Sequence, residues 1–335
     1  MSHDFSDQPD LASRALGAGV VYANDDLFAA RENLVIPGPP AHDPSAFGPR
    51  GKIYDGWETR RRRTPGNDVA IVRLGVRGAV SGVVVDTAHF VGNYPPRVSV
   101  DGVDLAGYPS PDELLGASWR PLVPVSDVSG DAANAFEVEG SPTCTHVRLT
   151  LHPDGGVARL RVHGRPVPDP ALLTGTVDLA ALENGGDVVD CSDAFYASAR
   201  HLLMPGRART TAEGWENARR RDAGNDHVTV RLVGLGTVRR LVVDTSCFVG
   251  NAPTEVLVRG CVGAPDGDRA PDGWVTLLPR SAVQPDTRQV LPVDGEAATT
   301  PVDHVRLDVF PDGGLARLRV QGELSPDIPA ADTAQ

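Results

Sequence analysis

Short apolar runs alternate along the whole chain with clusters of Gly, Pro, Asn and Asp. "VAIVRL", "GVVVDT", "RVSV", "HVRLTL" and "ARLRV" read as strands bounded by turn residues. In "HVRLTL", Val147, Leu149 and Leu151 fall on one side and His146, Arg148 and Thr150 on the other, the period-two alternation of a half-buried strand. Helical periodicity is weak, with one modest candidate in each half, near "DDLFAARENL" and "SDAFYASARHL". Many short strands without alternating helices predict an all-β fold, an antiparallel sandwich or jelly roll.

The strand words occur twice. "GNDVAIVRLG" (66–75) aligns with "GNDHVTVRLV" (224–233), and "VSGVVVDTAHFVGN" (80–93) with "VRRLVVDTSCFVGN" (238–251) at the same spacing. "HVRLTLHPDGGVARLRV" (146–162) aligns with "HVRLDVFPDGGLARLRV" (304–320) and shares 13 of 17 residues, which excludes chance. Upstream, "VVYANDDLFAARENLVIPG" (20–38) matches "VVDCSDAFYASARHLLMPG" (188–206) at a spacing ten residues longer. The first copy therefore carries an insertion around "GPPAHDPSAFGPRGK", ahead of its Trp57 motif. The expected organisation is a flexible start (1–16), a first β-sandwich (17–165), a Pro- and Gly-containing linker (166–184), a second sandwich (185–322) and a flexible end (323–335).

Composition narrows the function. The 335 residues carry a formal charge of −12, which argues against a general nucleic-acid binder, because phosphate neutralisation needs surplus Lys and Arg. Nearly every cation is Arg, with Lys52 the single lysine. No apolar run suits a membrane span, and the polar, acidic start lacks the pattern of a signal peptide. Cys144, Cys191, Cys247 and Cys261 form no CxxC pair and no zinc-like spacing, which reads as reduced thiols in the cytoplasm. There is no GxSxG elbow, no phosphate-cradling glycine motif and no HExxH, and no metal site is read from the sequence.

The repeated loop words are the candidates for chemistry, since function on sandwiches sits on loops. In "DGWETRRRR", Arg60 or Arg62 can aim a guanidinium fork at a small carboxylate, or the run can be a solvated edge. Trp57 can be core, or an apolar wall that raises the pKa of Glu58. Asn67 and Asp68 in "GND" read as a turn, with Asn67 able to bind an amide or ureido group. In "VVVDTAHFVGNYP", Asp86 and His89 form a possible acid/base pair, or Asp86 makes a local turn beside a surface histidine. Asn93 shapes the same loop. "PDGG", at 153–156 and 311–314, reads as a hairpin turn. The second-copy counterparts are Glu216, Asp226, Asp244 and Asn251, with Cys247 standing where the first copy has His89.

These words resemble the allantoicase family. "DGWETRRRR", "GND", "VVVDTAHFVGNYPP" and "HVRLTLHPDGGVARLRVHG" look like its first-repeat blocks, and "GWENARRR", "VVDTSCFVGNAP" and "HVRLDVFPDGGLARLRVQG" like its second. The likeness covers residues 17–322 in the right block order. Many members read "GHDW" where this chain has Gly66-Asn67-Asp68-Val69, and "GWET" is commoner than "GWEN". The resemblance implies two tandem jelly rolls of the galactose-binding-like type, a homo-oligomer, and hydrolysis of allantoate to ureidoglycolate and urea in purine breakdown. No cofactor is predicted, and a divalent metal such as Mn²⁺ is left open.

Allantoate is a carboxylate whose central carbon bears two ureido groups. On that substrate the expected roles are Arg60 or Arg62 on the carboxylate and Asn67 and Asn93 on the ureido groups. Glu58, beside Trp57, protonates the departing nitrogen, and Asp86 with His89 activates water. Two other readings remain open at this point: a non-catalytic tandem jelly-roll binding or assembly protein, and a hydrolase acting on ureidoglycolate.

Overall fold

The computed structural model describes residues 4–49 and 51–325. The chain divides into two compact units, with the division between Val167 and Pro168. Each is an antiparallel jelly-roll sandwich organised on one long strand.

In the first unit that strand is Asp68–Asp86. Its first half pairs with Gly19–Ala23 on one side and Thr143–His152 on the other. The register breaks between Arg73 and Gly78. Beyond the break, the second half pairs with Arg159–Pro166 and, from Gly82, with Ala133–Glu137. Arg97–Val103 and Arg120–Asp127 extend the first layer. One strand thus serves both layers, and the core fills between them with Ala70, Val72, Val83, Val85, Val147, Leu149, Leu160 and Val162, all fully buried. Burying each such side chain contributes about 1.5–3 kcal/mol over leaving it exposed.

Strand Thr143–His152 keeps the expected alternation of Val147, Leu149 and Leu151, but His146 and Thr150 are buried as well. The loop after Val103 folds across that face, where Arg73, the strand partner of His146, donates through Nη1 to Gly107 O at 3.0 Å. Burial, with Arg73 nearby, pushes His146 down to about 4, so it is a neutral structural group.

The second unit repeats the plan on Asp226–Asp244. Asp187–Cys191 and Val302–Phe310 flank its first half. Arg317–Leu324 and Arg288–Pro292 flank its second.

The helical candidates are single 3-10 turns, Arg31–Val35 and Ala199–Leu203. Five residues do not meet the cost of nucleating a longer helix, and Pro37 and Pro205 follow closely. The one α-helix among the described residues, Pro111–Leu115, is started by a capping box on Ser110 and Glu113.

The start of the chain was expected to be loose, yet within 4–16 it is part of the first sandwich. Leu11 and Ala12 are fully buried, Leu11 N donates to Val162 O at 2.7 Å, and Asp10 accepts from Val162 N and pairs with Arg161. The linker 166–184 repeats this motif. Val177–Asp178 pair with Gly322 and Gln321, Leu179 N donates to Val320 O at 2.7 Å, and Asp178 accepts from Val320 N. "DLA" at 10–12 and 178–180 is therefore a further repeated word, too short to be noticed against its polar surroundings. At the other end, Glu323 and Leu324 finish a strand, while 326–335 lie outside the described residues. All four cysteines are free thiols. No helix of the described residues is long and apolar enough to cross a membrane.

Leu11→Ala is expected to destabilise the first unit by about 2–5 kcal/mol, the range for emptying a core leucine site. Urea unfolding followed by tryptophan fluorescence measures it, and an unchanged midpoint would show that residues 4–16 do not contribute to folding.

Candidate functional site

Trp57–Glu58 is a two-residue strand paired with Gly156–Val157. Trp57 is fully buried, and its indole Nε1 donates to Asp25 O at 2.8 Å. Successive side chains of a strand point to opposite faces, so burying Trp57 turns Glu58 outward. The Glu58 backbone is fixed from the other side as well, with Glu58 N donating to Ala29 O at 3.2 Å and Glu58 O accepting from Phe28 N at 3.2 Å. Gly156 has to be a glycine, since a Cβ there would lie 2.0 Å from Phe90 Cε1. The "PDGG" word is thus more than a hairpin turn. It supplies the partner strand of the Trp-Glu pair, and Asp154 Oδ2 accepts from Arg62 N at 2.7 Å.

Glu58 opens into a cleft of about 430 Å³ lined by Phe28, Lys52, Tyr54, Glu58, Gly92 and Asn93. Asn93 Nδ2 donates to Glu58 Oε1 at 2.7 Å, while the backbone carbonyl of Asn93 accepts from Gly156 N at 2.7 Å. Burial raises the pKa of Glu58 and outweighs the Asn93 hydrogen bond, which pulls the other way. The Lys52 ammonium stands 5.4 Å from the centroid of the Tyr54 ring, which itself stacks on Phe90 with centroids 4.8 Å apart. Among the described residues Lys52 has no carboxylate partner. The cleft therefore offers a cation, a carboxyl inclined to hold its proton, an amide and two aromatic walls. That set suits a small anion with groups that can be protonated.

Of the expected site residues, the structure brings Glu58 and Asn93 together. It sends the others elsewhere. Trp57 belongs to the core, and the apolar walls beside Glu58 are Phe28 and Tyr54 instead. Arg60 is largely exposed and paired with Asp25 at 3.1 Å. Arg62 pairs at 2.5 Å with the buried Asp68, which also accepts from Asn24 Nδ2. Asn67 is exposed, and its carbonyl accepts from Asn24 and Arg62, the work of a turn residue. Asp86 Oδ1 accepts from Ala88 N at 2.8 Å, a local Asx turn, so Asp86 and His89 do not form an acid/base pair. His89 has a left-handed backbone, φ 68°, and its ring stacks on His42 with centroids 4.9 Å apart and contacts Pro40 O at 3.3 Å. It braces the insertion.

Lys52, Tyr54 and Phe28 escaped the sequence reading. The signal was present: Lys52 is the single lysine and it closes the insertion that distinguishes the copies. In the second unit Glu216 and Asn251 repeat the carboxylate–amide pair at 2.6 Å. Asp226 pairs with Arg220 at 2.7 Å, and Asp244 Oδ1 accepts from Ser246 N at 2.9 Å. Thr210 and Ala212 stand where the first copy has Lys52 and Tyr54. Among the described residues no group of three or more His, Cys, Asp or Glu is placed to hold a metal ion.

The fold defines a tandem jelly-roll protein, and the Glu58 cleft is its candidate site. Its two copies match the allantoicase repeat model over residues 9–167 and 177–325. A probable allantoicase from Nocardia farcinica is 53% identical over 96% of this chain and 95% of its own length. One from Streptomyces coelicolor is 49% identical over 96% of this chain and 87% of its own length. The crystal structure of allantoicase from Saccharomyces cerevisiae superposes with a TM-score of 0.78 at 32% identity, covering 94% of this chain and 93% of that one. The chain belongs to the allantoicase family.

Asn93 favours the charged form of Glu58. Asn93→Ala is therefore expected to raise the titration midpoint of Glu58 further, read by ¹³C NMR of the labelled carboxyl. A midpoint that stays put would mean the pair is not formed in solution.

Proposed function

We propose that this chain is a hydrolase of linear amidines that converts allantoate and water to ureidoglycolate and urea, and that the Glu58 cleft is where it does so. The observation that carries this assignment is the Glu58–Asn93 pair facing Lys52 across a cleft of about 430 Å³. Lys52 supplies the positive charge for the substrate carboxylate, in the role first given to Arg60 or Arg62. Phe28 and Tyr54 enclose the central carbon, and the Asn93 side-chain carbonyl is left to accept from a ureido N–H.

Urea anion is a poor leaving group, so the departing nitrogen must be protonated as its bond breaks. Glu58, kept protonated to higher pH by burial, donates that proton. The lone pair of the remaining ureido nitrogen forms a C=N bond to the central carbon as urea leaves. Water then adds to that carbon, and the Glu58 carboxylate takes its proton. One residue thus acts as acid and then as base and ends as it began, which does the task first divided between Glu58 and the Asp86–His89 pair. Such proton transfer typically supplies about 10²–10⁴-fold in rate, with positioning adding more. Four free thiols suit a reducing compartment, in keeping with a cytoplasmic enzyme.

With allantoate supplied, urea and ureidoglycolate should appear in equal amounts. Glu58→Gln is expected to lower kcat by about 10²-fold or more while the circular dichroism spectrum is kept. Near-normal turnover in that variant would remove Glu58 from the mechanism. Lys52→Met should instead raise KM by about tenfold or more, with a smaller effect on kcat, since it withdraws a charge-assisted contact worth about 1.5–3 kcal/mol. An unchanged KM would place the carboxylate elsewhere. Because the proton donor must be protonated, kcat/KM should fall as pH rises past the Glu58 midpoint.

A further inference from the structure

The two units treat one buried arginine differently. In the first, Arg159 is 1% exposed and every side of its guanidinium is occupied. Nη1 donates to Asp55 O and Ala158 O, Nε to Gly38 O at 3.2 Å, and Nη2 to the Asp55 carboxylate at 2.7 Å. Its counterpart Arg317 is 5% exposed. Arg317 Nη1 repeats the first pattern, donating to Glu213 O and Ala316 O. The other edge does not. Nε is buried without a partner, and Nη2 meets no acceptor among the described residues.

The reason lies in the sequence. Glu213 stands where the first copy has Asp55, and its carboxylate turns away to Arg209, at 2.6 Å. Gly206 O, the counterpart of Gly38 O, accepts from Arg319 as Gly38 O does from Arg161, but it receives nothing from Arg317. Arg317 lines a pocket of about 300 Å³ that lies wholly within the second unit. Arg288 and Arg207 border the pocket where the first copy has Ala133 and Pro39, and neither is ion-paired among the described residues. Arg319, which pairs with Asp178 at 3.6 Å, completes the cationic side. Glu183, in place of Ala15, adds a buried carboxyl oxygen, Oε2, with no donor.

The geometry points to a second, separate binding site: the Arg317 pocket takes the carboxylate of a small organic acid, held at the edge that Gly38 O and the Asp55 carboxylate occupy on Arg159. The Nε–Nη2 edge of a guanidinium matches a carboxylate side-on, with two parallel hydrogen bonds. Arg288 and Arg207 add positive charge at the mouth. Glu183 Oε2 asks for a hydroxyl or N–H donor on the same molecule, so the ligand class is the small α-hydroxy or α-amido carboxylates rather than simple anions. The first unit is its own control. There the chain fills the edge with Gly38 O and Asp55, so the fork binds nothing from outside.

Glycolate is the probe, with acetate, inorganic phosphate and methylurea beside it. Isothermal titration on the full chain carrying Lys52→Met removes the first cleft from the reading. This test does not depend on turnover, so it stands or falls apart from the proposed reaction. Glycolate is expected to bind once per chain, more tightly than acetate, with no binding of methylurea. Arg317→Met should abolish it. Since Arg317 is buried and that variant can misfold, Arg288→Ala, at the exposed mouth, is the second probe. It should weaken glycolate by about tenfold and leave allantoate turnover in the otherwise unaltered chain unchanged. Glycolate binding that survives Arg288→Ala at full strength would overturn the site. So would the absence of glycolate binding in the Lys52→Met chain, or phosphate binding as tightly as glycolate.

Discussion

The burial of Trp57 is the constraint on which the candidate site depends. A strand of two residues has little hydrogen bonding of its own, so what holds it is the indole in the core, its Nε1 on Asp25 O, and the ladder to Gly156–Val157. Because strand side chains alternate, fixing Trp57 inward fixes Glu58 outward. The same packing explains Gly156, where the Phe90 ring occupies the volume of a side chain, and through the Gly156 N–H it also holds Asn93. Glu58 and Asn93, far apart in sequence, are placed by one knot of packing.

The second unit keeps that knot and changes what surrounds it. Trp215 is buried, Gly314 faces Phe248, and Glu216 meets Asn251. What it lacks is the insertion that brings Lys52 and Tyr54 over the first cleft. What it gains is an arginine released from its internal carboxylate, with further cations around it. The frame is dictated by core packing, which tolerates little change, whereas loops and single surface positions can diverge without cost to the fold. Duplication here has yielded the same scaffold twice, differently furnished in each unit.

The arginine-rich character of the chain takes a different form from the one its run of four suggests. Arg60 and Arg62 neutralise Asp25 and Asp68 and tie the Trp57 loop to its neighbours. The arginines of "ARLRV" point to buried carbonyls and carboxylates, as Arg159 and Arg161 do with Asp55, Asp10 and Gly38 O. These are internal braces, and in the second unit the counterpart of one of them, Arg317, has lost its carboxylate partner.

By itself the sequence determined the all-β class, the duplication and the order of the blocks, and it put forward Glu58 and Asn93 as candidates. Strand alternation, turn residues and repeated words are local properties, and local properties can be read in a line. Only the tertiary structure decided which charges are spent. Whether Arg62 binds a ligand or Asp68, whether Asp86 serves a base or a turn, and whether the start of the chain is loose or packed all depend on partners dozens of residues away. The same holds for Lys52, whose rarity was visible but whose place beside Glu58 was not. A charged side chain is defined by what it meets, and what it meets is fixed by how the chain closes on itself.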